Sequence, residues 1–176
     1  MTRPNTGTGN IAYGLRLQNT TGRLLTDFTI TYTGEQWRDG GNTTTPNAQK
    51  LDFSYRIAPA ITSPDISNTS TWTDFNALDF SSPTFTATRS GVALDGNLGA
   101  NRTTFTSVLL TGVVVNDGEE IFIRWYDHND SGRNHGLAID DVTVVYAIPE
   151  PTTSTLVAGL GLIGFAAYRR RLAGSH

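Results

Sequence analysis

Three stretches of this chain carry apolar side chains at every second position. Ile11, Tyr13, Leu15 and Leu17 form the first. Leu24, Phe28, Ile30 and Tyr32, with Thr26 between them, form the second, and Leu51, Phe53, Tyr55 and Ile57 the third. A period of two is the repeat of an extended strand, whose successive side chains point to opposite faces. Each set therefore predicts one half-buried strand. Asn19-Thr20-Thr21-Gly22 between the first two predicts a hairpin-type connection, and the Gly40-Gly41 region up to Pro46 predicts a longer loop.

Less regular runs of the same kind fall at residues 72–78, 85–88, 105–111, 121–126 and 137–146, with a turn at Asn116-Asp117-Gly118. Composition points the same way. Acidic residues are 12 Asp and 4 Glu, and basic residues are 12 Arg and one Lys, so the usual exposed-helix residues are scarce. Thr favours strands, and Asn, Asp, Gly and Ser favour turns. The expected body, residues 1–147, is an all-β antiparallel β-sandwich with jelly-roll connectivity. No strand–helix–strand rhythm is present, which excludes a doubly wound parallel sheet. The Thr-x-Thr runs at Thr29/Thr31/Thr33 and Thr84/Thr86/Thr88 interleave with aromatic residues and read as ordinary strand positions.

Charge divides the chain. The first 147 residues carry a net −5, and residues 148–176 a net +2. An acidic body offers nothing to a row of phosphates, so nucleic acid is not an expected partner. The absence of Cys excludes disulfides and thiolate metal sites.

The basic end has its own order. Residues 148–155 form a linker containing Pro149, Glu150 and Pro151. An uncharged stretch at 156–168 follows, then Arg169, Arg170 and Arg171, then a tail at 172–176. As a helix, 13 residues reach about 20 Å, short of a full bilayer span, and the threonines at 152, 153 and 155 extend it. The arginine cluster fixes the reading as a transmembrane helix at 156–171 with its C-terminal end on the cytoplasmic side. Two prolines around Glu150 remove backbone donors and favour an extended segment. Gly159, Gly161 and Gly164 match a dinucleotide-binding spacing, but that fingerprint needs a preceding strand, a strand–helix–strand unit and an acidic residue about 20 positions on, and this context is missing. Close packing of a membrane helix explains them better.

This ordered set of Pro-Glu-Pro, short apolar helix and terminal arginines resembles the PEP-CTERM sorting signal. The resemblance covers about 24 residues. It implies an exported protein of a Gram-negative bacterium, first anchored in the membrane, processed by an exosortase, and delivered to the cell surface or the extracellular polysaccharide matrix. The same tail is also labelled an ice-binding protein C-terminal domain, which describes the tail and not a property of the body. Residues 1–10 lack the apolar core of a signal peptide, so the sequence is expected to begin inside a longer gene product.

One acidic loop in the body stands out. Asp127, Asn129 and Ser131, followed by Gly132, take the alternate oxygen-ligand positions and sharp-turn glycine of a Ca²⁺ loop. Ala138 stands where the bidentate acid belongs, and Asp140 and Asp141 are the candidate replacements. Structural Ca²⁺ is weighed against a turn that caps its own backbone. The run Leu137-Ala138-Ile139-Asp140-Asp141-Val142 resembles the last strand of MAM-type jelly rolls, some of which hold Ca²⁺. With Gly34-Glu35-Gln36-Trp37-Arg38, it is also loosely similar to a body domain often joined to this tail.

No catalytic set emerges, and the chain reads as a non-enzyme. Glu119 and Glu120 are expected to face solvent. Asp140 and Asp141 are neighbours on a strand and point apart. His128 and His135 read as surface residues, and Ser54, Ser107 and Ser131 lack a nucleophile-elbow context. Trp37, Trp72 and Trp125 near strand ends are candidate sugar-stacking rings, with core packing as the alternative. A structural surface or matrix protein is the leading expectation. A lectin-like carbohydrate-binding module stabilised by Ca²⁺ is the second, and a hydrolase has the least support.

Overall fold

A computed structural model describes residues 9–59, 70–130 and 132–150. The predicted transmembrane helix, Pro151, Arg169, Arg170, Arg171 and Ser131 lie outside the described residues. Nine strands follow in order: β1 (Ile11–Gln18), β2 (Thr26–Asp39), β3 (Lys50–Pro59), β4 (Thr73–Asp74), β5 (Phe80–Ser81), β6 (Val92–Ala93), β7 (Arg102–Leu109), β8 (Glu119–Asp127) and β9 (Gly136–Ala147). All pairings are antiparallel. The described residues contain only two single-turn 3-10 segments as helix. None of these is long and apolar enough to cross a membrane.

The strands form two sheets. In the first, β8 lies between β1 and β3, and β4 and β5 share the far edge of β3. In the second, β2 is central, with β9 along one edge and β7 and β6 along the other. Successive long strands alternate between sheets, so the Asn19–Gly22 segment is not the predicted hairpin. It carries the chain from one sheet to the other. Asn19 holds this crossing: its Nδ2 donates to the carbonyls of Arg23 and Val115, and its Oδ1 accepts from the Thr21 N–H.

The facing sides of the sheets bury one apolar core, as the period-two pattern requires. Phe28, Ile30 and Tyr32 of β2 meet Leu51 and Phe53 of β3 and Ile121, Ile123 and Trp125 of β8. The Trp125 ring stands edge-on to Tyr32 at 5.1 Å and to Phe53 at 5.5 Å, and stacks against Tyr13 at 6.2 Å. Each large side chain fully buried here contributes about 1.5–3 kcal/mol.

Three sequence expectations need correction. Leu15 and Leu17 remain 40% and 37% exposed, on β1 at the edge of its sheet. The run at 72–78 yields only the two-residue β4 and a single 3-10 turn. The run at 85–88 forms no strand. The neighbouring polar groups are taken outside any ladder: the Thr84 N–H donates to the Gln36 side chain at Oε1, and the Thr86 carbonyl accepts from the backbone N–H of Asn42.

β8 is buried on both faces. On its outer face Arg124 lies 4.2 Å from the centre of the Trp72 ring and 4.9 Å from that of Tyr126, and its Nε donates to Ser54 Oγ. Glu120 is likewise buried, contrary to the solvent-facing expectation, and pairs with Arg16 at 2.7 Å.

Candidate functional site

Strand direction gives the body two unlike ends. One gathers the end of β1, the start of β2, the start of β8 and the end of β9. Leu24, Val114 and Ile148 are exposed here, and a groove of about 230 Å³ is lined by Leu17, Leu25, Phe28, Val144 and Tyr146 together with the polar residues 18–21. The chain leaves from here. β9 ends at Ala147, and Ile148, Pro149 and Glu150 follow as exposed, non-helical residues.

The opposite end is polar. Here residues 40–49 join β2 to β3, residues 128–135 join β8 to β9, and the segment after β5 runs between them. Beneath these loops lies a buried network centred on His135. Its Nδ1 is 2.9 Å from Ser82 Oγ and 3.2 Å from Gln36 Nε2, and its Nε2 is 3.4 Å from Asp39 Oδ1. The Gln36 amide nitrogen can only donate, so Nδ1 is the acceptor and Nε2 carries the proton toward Asp39. Burial lowers the His135 pKa, and this outweighs the opposing pull of Asp39. His135 is thus a buried neutral residue, not the surface residue expected from sequence.

Ser82, His135 and Asp39 together have the composition of a hydrolytic triad, but the serine is enclosed in this arrangement. Ser82 is 2% exposed, and its Oγ already accepts the Gln49 N–H at 2.9 Å. A nucleophile must reach its substrate.

The network instead fixes the loops above it. Asp39 Oδ1 accepts the Gly41 N–H, and Asp39 Oδ2 accepts from Thr86. Gln49 Oε1 accepts the His135 N–H, and Gln49 Nε2 donates to the Arg133 carbonyl. Arg38 donates to the Asn134 carbonyl. Over this floor opens a cleft of about 450 Å³ lined by Gly41, Asn42, Thr43, Thr88, Arg89, Gly132 and Arg133. Sequence reading named Gly41, Thr88 and Gly132 for other reasons and did not bring these residues together. They come from three loops far apart in the chain, and no local pattern joins them.

Of the predicted Ca²⁺ residues, the described ones, Asp127, Asn129, Asp140 and Asp141, do not gather at one point. Asp127 is buried at the end of β8, opposite Ile11 and Leu51. The Asn129 N–H donates to Asn10 Oδ1, and Asn129 Oδ1 accepts from Asn134. Asp140 pairs with Thr33, whereas Gly136 pairs with Arg38. Four residues of strand, about 13 Å, therefore carry Asp140 away from the loop. Asp141 lies beside it, 3.9 Å from Arg102. Among the described residues no three His, Asp or Glu side chains converge as a metal site requires.

The tryptophans are mostly spoken for. Trp125 is a core residue, and Trp72 is buried against Arg124 and Phe122. Neither presents a free ring face to a sugar, which corrects their candidacy as stacking rings. Trp37 is half-buried, its Nε1 donating to Glu35 Oε2. Gly96 packs so close to its ring that a Cβ would lie 2.6 Å from it. His128 is an exposed residue paired with Asp52 at 2.8 Å.

The chain is thus a two-sheet β body whose last strand runs directly into an exposed Pro-Glu segment. Residues 147–171 match the family model described as the PEP-CTERM protein-sorting motif. The chain carries a PEP-CTERM sorting domain, the mark of an exported, exosortase-processed protein of Gram-negative bacteria. The match covers the tail alone. No curated protein and no solved structure matches the chain.

Proposed function

We propose that this is a structural protein of the cell surface or extracellular matrix, in which the β body is the cargo and the tail is the address. The observation that carries this is the placement of the sorting motif. It begins where β9 ends, and Pro149 and Glu150 are exposed and outside any regular element. An extended segment with few backbone donors is one that a protease cleft can hold. Residues 156–171 act as the transmembrane helix of the precursor, with Arg169, Arg170 and Arg171 on the cytoplasmic side. The body is a jelly roll, a reading supported by the alternation of its long strands between two sheets. It performs no catalysis, a reading favoured by the burial of Ser82.

Mass spectrometry of the mature C-terminus in the native host tests this. The expected product lacks Arg169, Arg170 and Arg171, and surface-delivered protein that retains them rejects the proposal.

A second reading is favoured by one observation. The polar cleft at the end opposite the tail, pre-formed over a buried network, suits a carbohydrate-binding module acting on extracellular polysaccharide.

A further inference from the structure

We propose that this cleft binds an anionic saccharide, holding its carboxylate or sulfate between the guanidinium groups of Arg89 and Arg133. The inference rests on the carbohydrate-binding reading and names the ligand class.

The lining decides the class. The groups suited to recognition are two guanidiniums, the Asn42 amide and the hydroxyls of Thr43 and Thr88, and no aromatic or aliphatic side chain contributes. Such a cleft cannot recognise a sugar by stacking. Its charged groups are donors. Among the described residues no carboxylate pairs with Arg89 or Arg133. Asn42 spends its acceptor internally, since Oδ1 takes the N–H groups of Thr44 and Thr45. Its Nδ2 stands beside Gly132, 3.8 Å from where a Cβ would be. Thr88 spends its hydroxyl proton on the Ser90 carbonyl, which leaves the two guanidiniums, Asn42 Nδ2 and the Thr43 hydroxyl as the donors facing the cleft. Such a set calls for a ligand rich in acceptors, and guanidinium groups bind planar carboxylates and sulfates in forked pairs.

The geometry is held in advance. Gly41 has φ of +75°, and a Cβ there would lie 2.6 Å from Thr88 Oγ1. Only glycine lets the two loops meet this closely. The Asp39 and Gln49 bonds described above then fix the backbones that carry Asn42 and Arg133, which reduces the ordering cost of binding. A cleft of about 450 Å³ falls in the size range of small-ligand sites. It also lies at the far end from Ala147, where the chain leaves the body. The body as a whole is acidic, so a polyanion is attracted only at such a local basic site.

The test is isothermal titration of the full chain with oligogalacturonate, dextran sulfate and neutral dextran. The variants are Arg89→Gln, Arg133→Gln and, as a control at the other end of the body, Arg23→Gln. Among the described residues no hydrogen bond or ion pair holds either cleft guanidinium, so each variant is expected to melt at the wild-type temperature. Binding of an anionic polymer is expected, weakened about tenfold or more by either cleft substitution, unaffected by Arg23→Gln and reduced by salt. The two anionic polymers show whether the carboxylate or the sulfate is preferred. Anionic binding that survives both cleft substitutions overturns this site but leaves the carbohydrate reading standing. Equal binding of neutral dextran overturns the ligand class. Failure of all three polymers to bind overturns both readings.

Discussion

His135 Nε2 lies 3.4 Å from Asp39 Oδ1 in the buried floor of the polar cleft, yet the histidine is held neutral. Burial lowers its pKa most, Arg38 adds to that, and Asp39 and Asp130 oppose it. A protonated ring would also turn Nδ1 into a donor facing the Gln36 amide. The unfolded chain binds the proton at an ordinary histidine pKa, about 6.5, and the folded chain only at lower pH. The stability contributed by neutral His135 is therefore complete above about pH 6.5 and is lost as pH falls below it. Thermal midpoints between pH 5 and 8 should drop on the acid side in the wild type. The drop should be smaller in His135→Asn, and parallel profiles would refute this account.

Gly34, in the middle of β2, lies beneath the Phe80 ring. A Cβ there would stand 2.3 Å from Phe80 Cγ. Phe80 is fully buried and cannot swing away. Gly34→Ala should cost about 1–3 kcal/mol by overpacking, read by urea unfolding. The double variant Gly34→Ala with Phe80→Leu should recover part of that loss.

The sheet built on β2 bends at one level. The register between β2 and β7 slips between Ile30 and Tyr32, and that between β2 and β9 slips between Thr31 and Thr33. The extra residues include Ser107 and Asp141, with φ of 50° and 54°. Ser107 is held there by its N–H, which donates to Thr31 Oγ1 at 2.8 Å. A left-handed conformation costs a non-glycine residue about 1–2 kcal/mol, part of which glycine returns as chain entropy. Ser107→Gly should thus stabilise the body by about 0.5–1 kcal/mol. Thr31→Val should destabilise it by about 1 kcal/mol through the lost bond. Both are read by chemical denaturation.

The separation of Asp140 and Asp141 from Asp127 bears on calcium. Four strand residues set Asp140 apart from the loop that follows Asp127. The melting midpoint is expected to be the same in excess Ca²⁺ and in EDTA. A rise of several degrees with Ca²⁺ would show that the loop recruits ligands in another way.

Much of the body could be read from alternation alone. β3, β8 and β9 lie within a few residues of the predicted runs, because each is long and borders a turn signal. β1 was also legible, but its burial was not, since alternation marks which side chains share a face and not whether anything covers that face. Thr84 and Thr86 look like strand residues, and only Gln36 and Asp39, more than 40 positions earlier, divert them into a loop. His135 and Glu120 look like surface residues until Ser82 and Arg16 are placed beside them.

By itself, the sequence determined the β character of the body and the sorting tail. Both are written in contiguous residues: a period of two in one case, and an ordered run from Pro149 to Arg171 in the other. The tertiary structure decided which aromatic rings are buried, which acids stand apart, and which arginines share a cleft. Those outcomes depend on loops from distant parts of the chain meeting at one end of two packed sheets. Such contacts are set by the whole core, and no short stretch of sequence records them.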